Sequence, residues 1–303
     1  MSKWINKDKF KNFQDQKKKE QDSAPVGQSN RSIVWQTPEK GTPERPKVYE
    51  GRFLPDKDGN FYEKYFYHMF RLGERWQFIL CEKTFGLDHF CPFCTASSKL
   101  YMGTSADKKV AGQFKKKEKF VSNFYIIDDP RDGERDDDKK VNNTVKLYEF
   151  PWKVEMKLKE EITNRKHGLG ISIFDPGDDG YNFLLKVLAT KKDRDGNIWP
   201  DYSMSEFTRR PSSLGTEDEV DEIMKSTVSL KEYISMMRKP DDEVMDILKK
   251  AMIWELVESE WNRSKNVTTE EREADDDVFV EDDENSEPDL SEDEDEDLLK
   301  ELD

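Results

Sequence analysis

The chain has 303 residues, 38% charged and 34% hydrophobic, so part of it lacks the apolar content to pack and the core is smaller than the chain. There is no run of about 18 apolar residues, and no apolar stretch follows the lysine-rich start; neither a membrane span nor a secretory signal is expected, and the location expected is cytoplasmic. The net charge of -16 belongs to one end: from Glu270 to Asp303 there are 20 acids against Arg272 and Lys300, a net of -18, which leaves +2 for residues 1–269. An acidic total therefore does not exclude a nucleic-acid partner.

Residues 1–30 carry seven lysines, with Trp4, Ile5, Phe10 and Phe13 between them, and end in a Pro, Gly and Ser joint. They read as a basic arm, either solvated or bound to a neighbour or to nucleic acid. The body is expected over 31–260. Val48–Leu54, Phe61–Leu72 and Trp76–Cys81 read as strands punctuated by a turn cluster at 55–59 and by Gly73. Phe120–Ile127 alternates, Thr144–Phe150 stops at Pro151, and Trp152 to about Arg165 has helical spacing at Val154, Leu158 and Ile162. Tyr181–Thr190 is the most apolar strand. Glu217–Met237 and a second segment from Pro240 read as helices, and residues 261–303 as an acidic tail unable to fold alone. An α+β protein with a mainly β core, flanking helices and disordered termini follows.

All three cysteines and two of the three histidines lie between His68 and Cys94. His68, Cys81, Cys91 and Cys94 have the spacing of a tetrahedral zinc site in which Cys91-Pro-Phe-Cys94 is a short knuckle stapling the loop after the third strand to the sheet. Four protein ligands leave no position for an activated water, so a single structural Zn²⁺ is expected. His89 is the alternative fourth ligand. A zinc deaminase needs His-x-Glu and Pro-Cys-x-x-Cys. Here Met69 and Phe70 follow His68, and the proline, Pro92, lies inside the cysteine pair, so no enzyme is expected.

In the run from Phe114 to Tyr125, Lys115, Lys116, Lys117 and Lys119 are flanked by Phe114, Phe120 and Phe124. Lysines that neutralise phosphates, beside rings that stack on unpaired bases, are what binding of single strands requires. A solvated lysine-rich turn has the same composition. Tyr101, Tyr148, Trp199 and Tyr202 are further candidates for stacking or for core packing. A zinc-containing adaptor that recruits partners through its tail without binding DNA is the rival reading.

The segments EGRFLP, HMF, Cys81, CPFC, KKKEKF leading into SNFYIIDDP, NFLLKV, WPDYSMSEF and the terminal DLLKELD resemble the T-even-type phage single-stranded DNA-binding proteins, the helix-destabilising proteins of the phage replisome. The likeness spans about Tyr49 to Phe207 plus the tail. It implies an OB-fold-like barrel with a zinc-stapled subdomain around 62–120, coating single-stranded DNA cooperatively and without strong sequence preference during replication, recombination and repair. By matching position it implies His68, Cys81, Cys91 and Cys94 as metal ligands, and Arg52, Arg71, Lys115, Lys116, Lys117, Phe120, Trp199 and Tyr202 along the strand groove. It also implies an N-terminal arm that docks on the next protomer, here densest in charge at Lys17, Lys18 and Lys19, and a tail that recruits replication, recombination and repair proteins while competing for the groove. Val121 stands where the family has an aromatic and Asp88 where the loop before the knuckle would have one, so Phe90 or Phe124 is expected to take over a stacking contact.

Overall fold

The computed structural model describes residues 33–164, 166–190, 196 and 198–266. The expected arm, with Lys17, Lys18 and Lys19, and the tail beyond residue 266 lie outside the described residues. The chain divides into two compact units, residues up to Glu260 and those from Trp261 on; Trp261–Asn266 is the end of a helix, Glu258–Asn266. Among the described residues no helix is long and apolar enough to cross a membrane.

The first unit is built on antiparallel strands. β1 (Lys47–Leu54), β2 (Glu63–Leu72) and β3 (Arg75–Leu80) are followed by α1 (Pro92–Tyr101), α2 (Ser105–Gln113), β4 (Lys117–Asp128), β5 (Thr144–Phe150), α3 (Trp152–Thr163) and β6 (Phe183–Ala189). Two short strands, β7 (Pro200–Asp201) and β8 (Glu206–Phe207), precede α4 (Glu217–Lys225), α5 (Leu230–Met236) and α6 (Asp241–Lys250). The strand order is β3-β2-β4-β1-β6-β7, with β5 added to β4 and β8 to β6. The α+β class with a mainly antiparallel sheet is as expected.

β4 is the shared strand. Lys117–Val121 pairs with β2, Asn123–Asp128 with β1, and Phe120–Ile126 with β5 along the other edge. Successive side chains of a strand face opposite ways, and both faces of β4 are covered. Phe120, Phe124 and Ile126 join Phe53, Tyr148, Phe150, Phe183 and Phe207 in one aromatic core closed by Val154 and Leu158 of α3. Val121 joins Tyr65, Leu80 and Leu147 in a second core, under Leu230, Tyr233 and Ile234 of α5. Phe53 lies at the middle of the first, its ring 5.0 Å from Phe124, 5.3 Å from Phe183 and 5.5 Å from Phe150. Gly51 admits this packing: a Cβ there would run into the Phe124 ring and the Tyr125 carbonyl, and the β1–β4 register shifts between Glu50 and Gly51.

The expected single helix over Glu217–Met237 is two. The backbone of Val228 is taken by the buried Asn123 amide, whose Oδ1 accepts from Val228 N at 2.9 Å and whose Nδ2 donates to Val228 O at 2.9 Å, and a helix cannot run through groups already spent on another partner. Asp56 Oδ2 then accepts from Leu230 N at 3.0 Å, and Ser229 caps α5. The segment expected to be the metal-binding loop contains two helices, α1 and α2. Cys91 is the N-cap residue of α1 with Pro92 at its first position, and Thr104 and Asp107 form a capping box for α2.

Candidate metal centre and nucleic-acid interface

The β2–β3 hairpin turns through Gly73, at φ 60°, and Glu74, and pairs His68 with Ile79, which leaves Cys81 just past the end of β3 beside the histidine. Cys91 and Cys94, one helical turn apart, bring two more sulfurs to the same point from the start of α1. The four ligand atoms lie within 4.8 Å of one another. Cys81 Sγ is 3.6 Å from both Cys91 Sγ and Cys94 Sγ, and His68 Nε2 is 3.3 Å from Cys91 Sγ and 3.7 Å from Cys94 Sγ. A tetrahedral zinc with ordinary bond lengths needs sulfurs about 3.8 Å apart and sulfur–nitrogen separations of about 3.5 Å. The donor set and its spacing fit one zinc ion. His89, the alternative ligand, is exposed and outside the cluster.

The surroundings prepare this site. His68 Nδ1 lies 2.8 Å from the Phe114 carbonyl, a partner that only accepts, so the proton sits on Nδ1 and the Nε2 lone pair is aimed at the sulfurs. Phe93 packs against His68 at 5.5 Å and Phe70 at 5.4 Å, and Phe114 lies 4.9 Å from Phe70. Ser97 Oγ donates to Ala111 O at 3.1 Å, joining α1 to α2. Hydrogen bonds from Cys81 and Cys91, aided by the charges of Lys116 and Lys83, pull the Cys94 thiol well below the usual thiol range despite its burial. The same sulfur contacts, with burial, push Cys81 up.

The lysine run begins one residue after the carbonyl that holds His68. Lys115 and Lys117 are exposed, and Lys116 Nζ sits 4.1 Å over the ring of Phe66. Lys64 Nζ also reaches that ring, at 4.9 Å, while pairing with Glu118 at 2.8 Å. Lys64 and Phe66 went unrecognised in the sequence; their signal was the alternation of β2, which puts them on the strand face that also carries His68. Lys119 is committed to the half-buried Glu149 at 2.7 Å.

Other expected interface residues divide by burial. Arg71, Tyr101 and Trp199 are exposed, Trp199 by 59% at the start of β7. Phe114, Phe120, Tyr148 and Tyr202 are buried: Phe114 sits in the cluster under the metal site and the other three in the main aromatic core. Phe124, expected as a substitute stacking ring, is fully buried, and Phe90 is half-buried. Arg52 is fully buried as well. Its guanidinium donates to Asp175 O at 2.9 Å, Ser212 Oγ at 2.9 Å and Asn182 Oδ1, tying two loops to β1 rather than facing a phosphate.

A Cys₃His cluster beside exposed lysines and a cation-capped ring fits a nucleic-acid-binding protein. The chain belongs to the family described as gp32 DNA binding protein like, whose model matches residues 51–252, two thirds of the sequence. This is the T-even-type family of single-stranded DNA-binding proteins that the motifs resemble, a DNA-binding family and not an enzymatic one. Comparison with curated proteins gave no match.

Proposed function

We propose that the protein coats single-stranded DNA cooperatively and without strong sequence preference, serving replication, recombination and repair through an OB-type core. The observation that carries this is family membership over residues 51–252 together with the exposed Lys115, Lys117 and Arg71 and the cation-capped ring of Phe66. Such a surface binds by backbone electrostatics plus stacking, which tolerates any sequence. His68, Cys81, Cys91 and Cys94 would hold one zinc, which supplies a fixed anchor for α1 and for the carbonyl preceding the lysine run and no reactive position. The N-terminal arm, with Lys17, Lys18 and Lys19, would link protomers, and the tail would recruit replication, recombination and repair proteins.

The test is a salt titration of binding to single-stranded and duplex DNA of equal length, read by tryptophan fluorescence. A single-strand preference with a steep salt slope supports the reading; equal or negligible binding to both forms rejects it. Deleting residues 270–303 removes a net charge of -18 and is expected to tighten single-strand binding, most visibly at low salt. Unchanged affinity would limit the tail to partner recruitment.

A further inference from the structure

We propose that the open face of the β2–β3 hairpin is a stacking surface for unpaired bases, formed by Tyr67, Phe78 and Trp76, with Arg71 and Lys117 holding the phosphates on either side. The pairing register sets the composition of this face. Tyr67 lies opposite Leu80 on β3 and Lys117 on β4, Met69 opposite Phe78, and Arg71 opposite Trp76. Directly paired residues point the same way, so all of these share one face, and residues two apart along a strand are about 7 Å from each other.

At one end the face is closed, where α5 covers Tyr65, Leu80 and Val121. Toward the hairpin turn the cover gives out. Tyr67 and Phe78 lie half-exposed with ring centroids 5.2 Å apart and planes within 20°, already stacked on each other, and Trp76 beyond them is 66% exposed. An indole so open contributes little to the core, and with Tyr67 and Phe78, which rest on the α5-covered core by one side and are half-exposed on the other, it makes a row of rings partly open to solvent.

The charges around the rings select the occupant. Arg71 and Lys117 are exposed on the same face, and Arg75 is exposed at the turn. The nearby acids are committed or turned away: Glu82 pairs with Arg238 at 2.7 Å, Glu149 with Lys119 at 2.7 Å, and Glu118 sits on the opposite face with Lys64. Glu74 alone stands in the turn. Flat apolar faces spaced along a strand between cations fit a single-stranded nucleic acid, whose bases have π-faces and whose backbone is anionic. This inference rests on the single-strand-binding function proposed above and places its stacking rings on the face of β2 opposite Phe66 and Lys64, the face to which Lys117 of the lysine run also belongs.

The test uses the full-length, zinc-loaded protein and an oligothymidylate of fixed length, with affinity measured by anisotropy across a salt series. Trp76→Ala is expected to weaken binding about ten-fold with an unchanged salt slope, since a stacking contact releases no counterion. Trp76→Phe should recover most of the affinity and lose part of the fluorescence quench. Arg71→Gln should weaken binding and lower the slope by about one. Both side chains are exposed, so zinc content and thermal midpoint serve as controls for folding. Wild-type affinity in Trp76→Ala, with an undiminished quench in Trp76→Phe, would overturn this surface while leaving single-strand binding intact; a wild-type protein with no preference for single strands would overturn both.

Discussion

His68 Nδ1 and the carbonyl of Phe114 are 2.8 Å apart, and that contact ties the metal cluster to the residue just before the lysine run. The metal cluster and the lysine run are therefore consecutive parts of one mechanical link. Cys91→Ala is expected to remove the zinc, lower the thermal midpoint and weaken single-strand binding together, because metal binding is coupled to the folding of α1 and α2 around it. Metal analysis beside a melting curve checks this. A full zinc complement with an unchanged midpoint would remove the structural role.

Arg52 divides the structure from the family-based expectation. Burial pulls its guanidinium down to about 10, against the charges of Asp175 and Glu50, and it remains a cation at neutral pH. Arg52→Met strands the acceptors on Asp175, Asn182 and Ser212 and is expected to cost about 3 kcal/mol of stability. At a temperature where the variant is folded, affinity for single strands should hold within about two-fold and the salt slope should not fall. A slope reduced by about one would restore Arg52 to the strand groove.

Tyr148 carries a buried hydroxyl with no hydrogen-bond partner among the described residues, deep in the main aromatic core. An unsatisfied buried hydroxyl costs about 1–3 kcal/mol, so Tyr148→Phe should be neutral or stabilising by about 1 kcal/mol, with DNA affinity unchanged. Denaturant unfolding and a binding curve on the same sample decide it; a loss of affinity would return this residue to the interface.

Asp129 sets an acid limit to stability. Burial alone would raise it, but hydrogen bonds from the Arg131 guanidinium, the Trp35 indole and the Arg131 backbone outweigh that and hold the carboxyl at about 2. Burial acts likewise on Glu149, where Lys119, Tyr233 and Tyr65 reverse it and leave the group below the usual carboxylate range. Groups whose folded values are depressed add stability above their unfolded values, near 4, and lose it as pH falls toward about 2. The thermal midpoint should decline across that window, and Asp129→Asn should lower it at pH 7 and flatten part of the decline.

Most of the strands and α3 were legible because alternation, Pro151 and the turn glycines mark them locally. The three cysteines of the candidate metal cluster were legible from spacing, while the choice of His68 over His89 came from the β2–β3 pairing that places His68 beside Cys81. The fate of the rings was not legible. Phe120, Tyr148 and Tyr202 are the residue types a single-strand groove would use, and only the double covering of β4 and the packing around Phe53 send them inward. Trp76, inconspicuous in sequence, stands out because it lies outside the core that α5 covers and is 66% exposed. The break between α4 and α5 was likewise invisible, since its cause, Asn123, lies 105 residues before Val228.

β4 is hydrogen-bonded along both edges from Phe120 to Ile126, save where the pairing passes from β2 to β1, and each face lies under a different core. Its central amides can reach solvent only when the flanking ladders open with them, so they should be the last to take up deuterium. The N-terminal end of β4 is paired with β2 alone, so at Lys117–Lys119 exchange is expected to be faster: the strand that makes the unit cooperative loosens, within a few residues, at its lysine-bearing end.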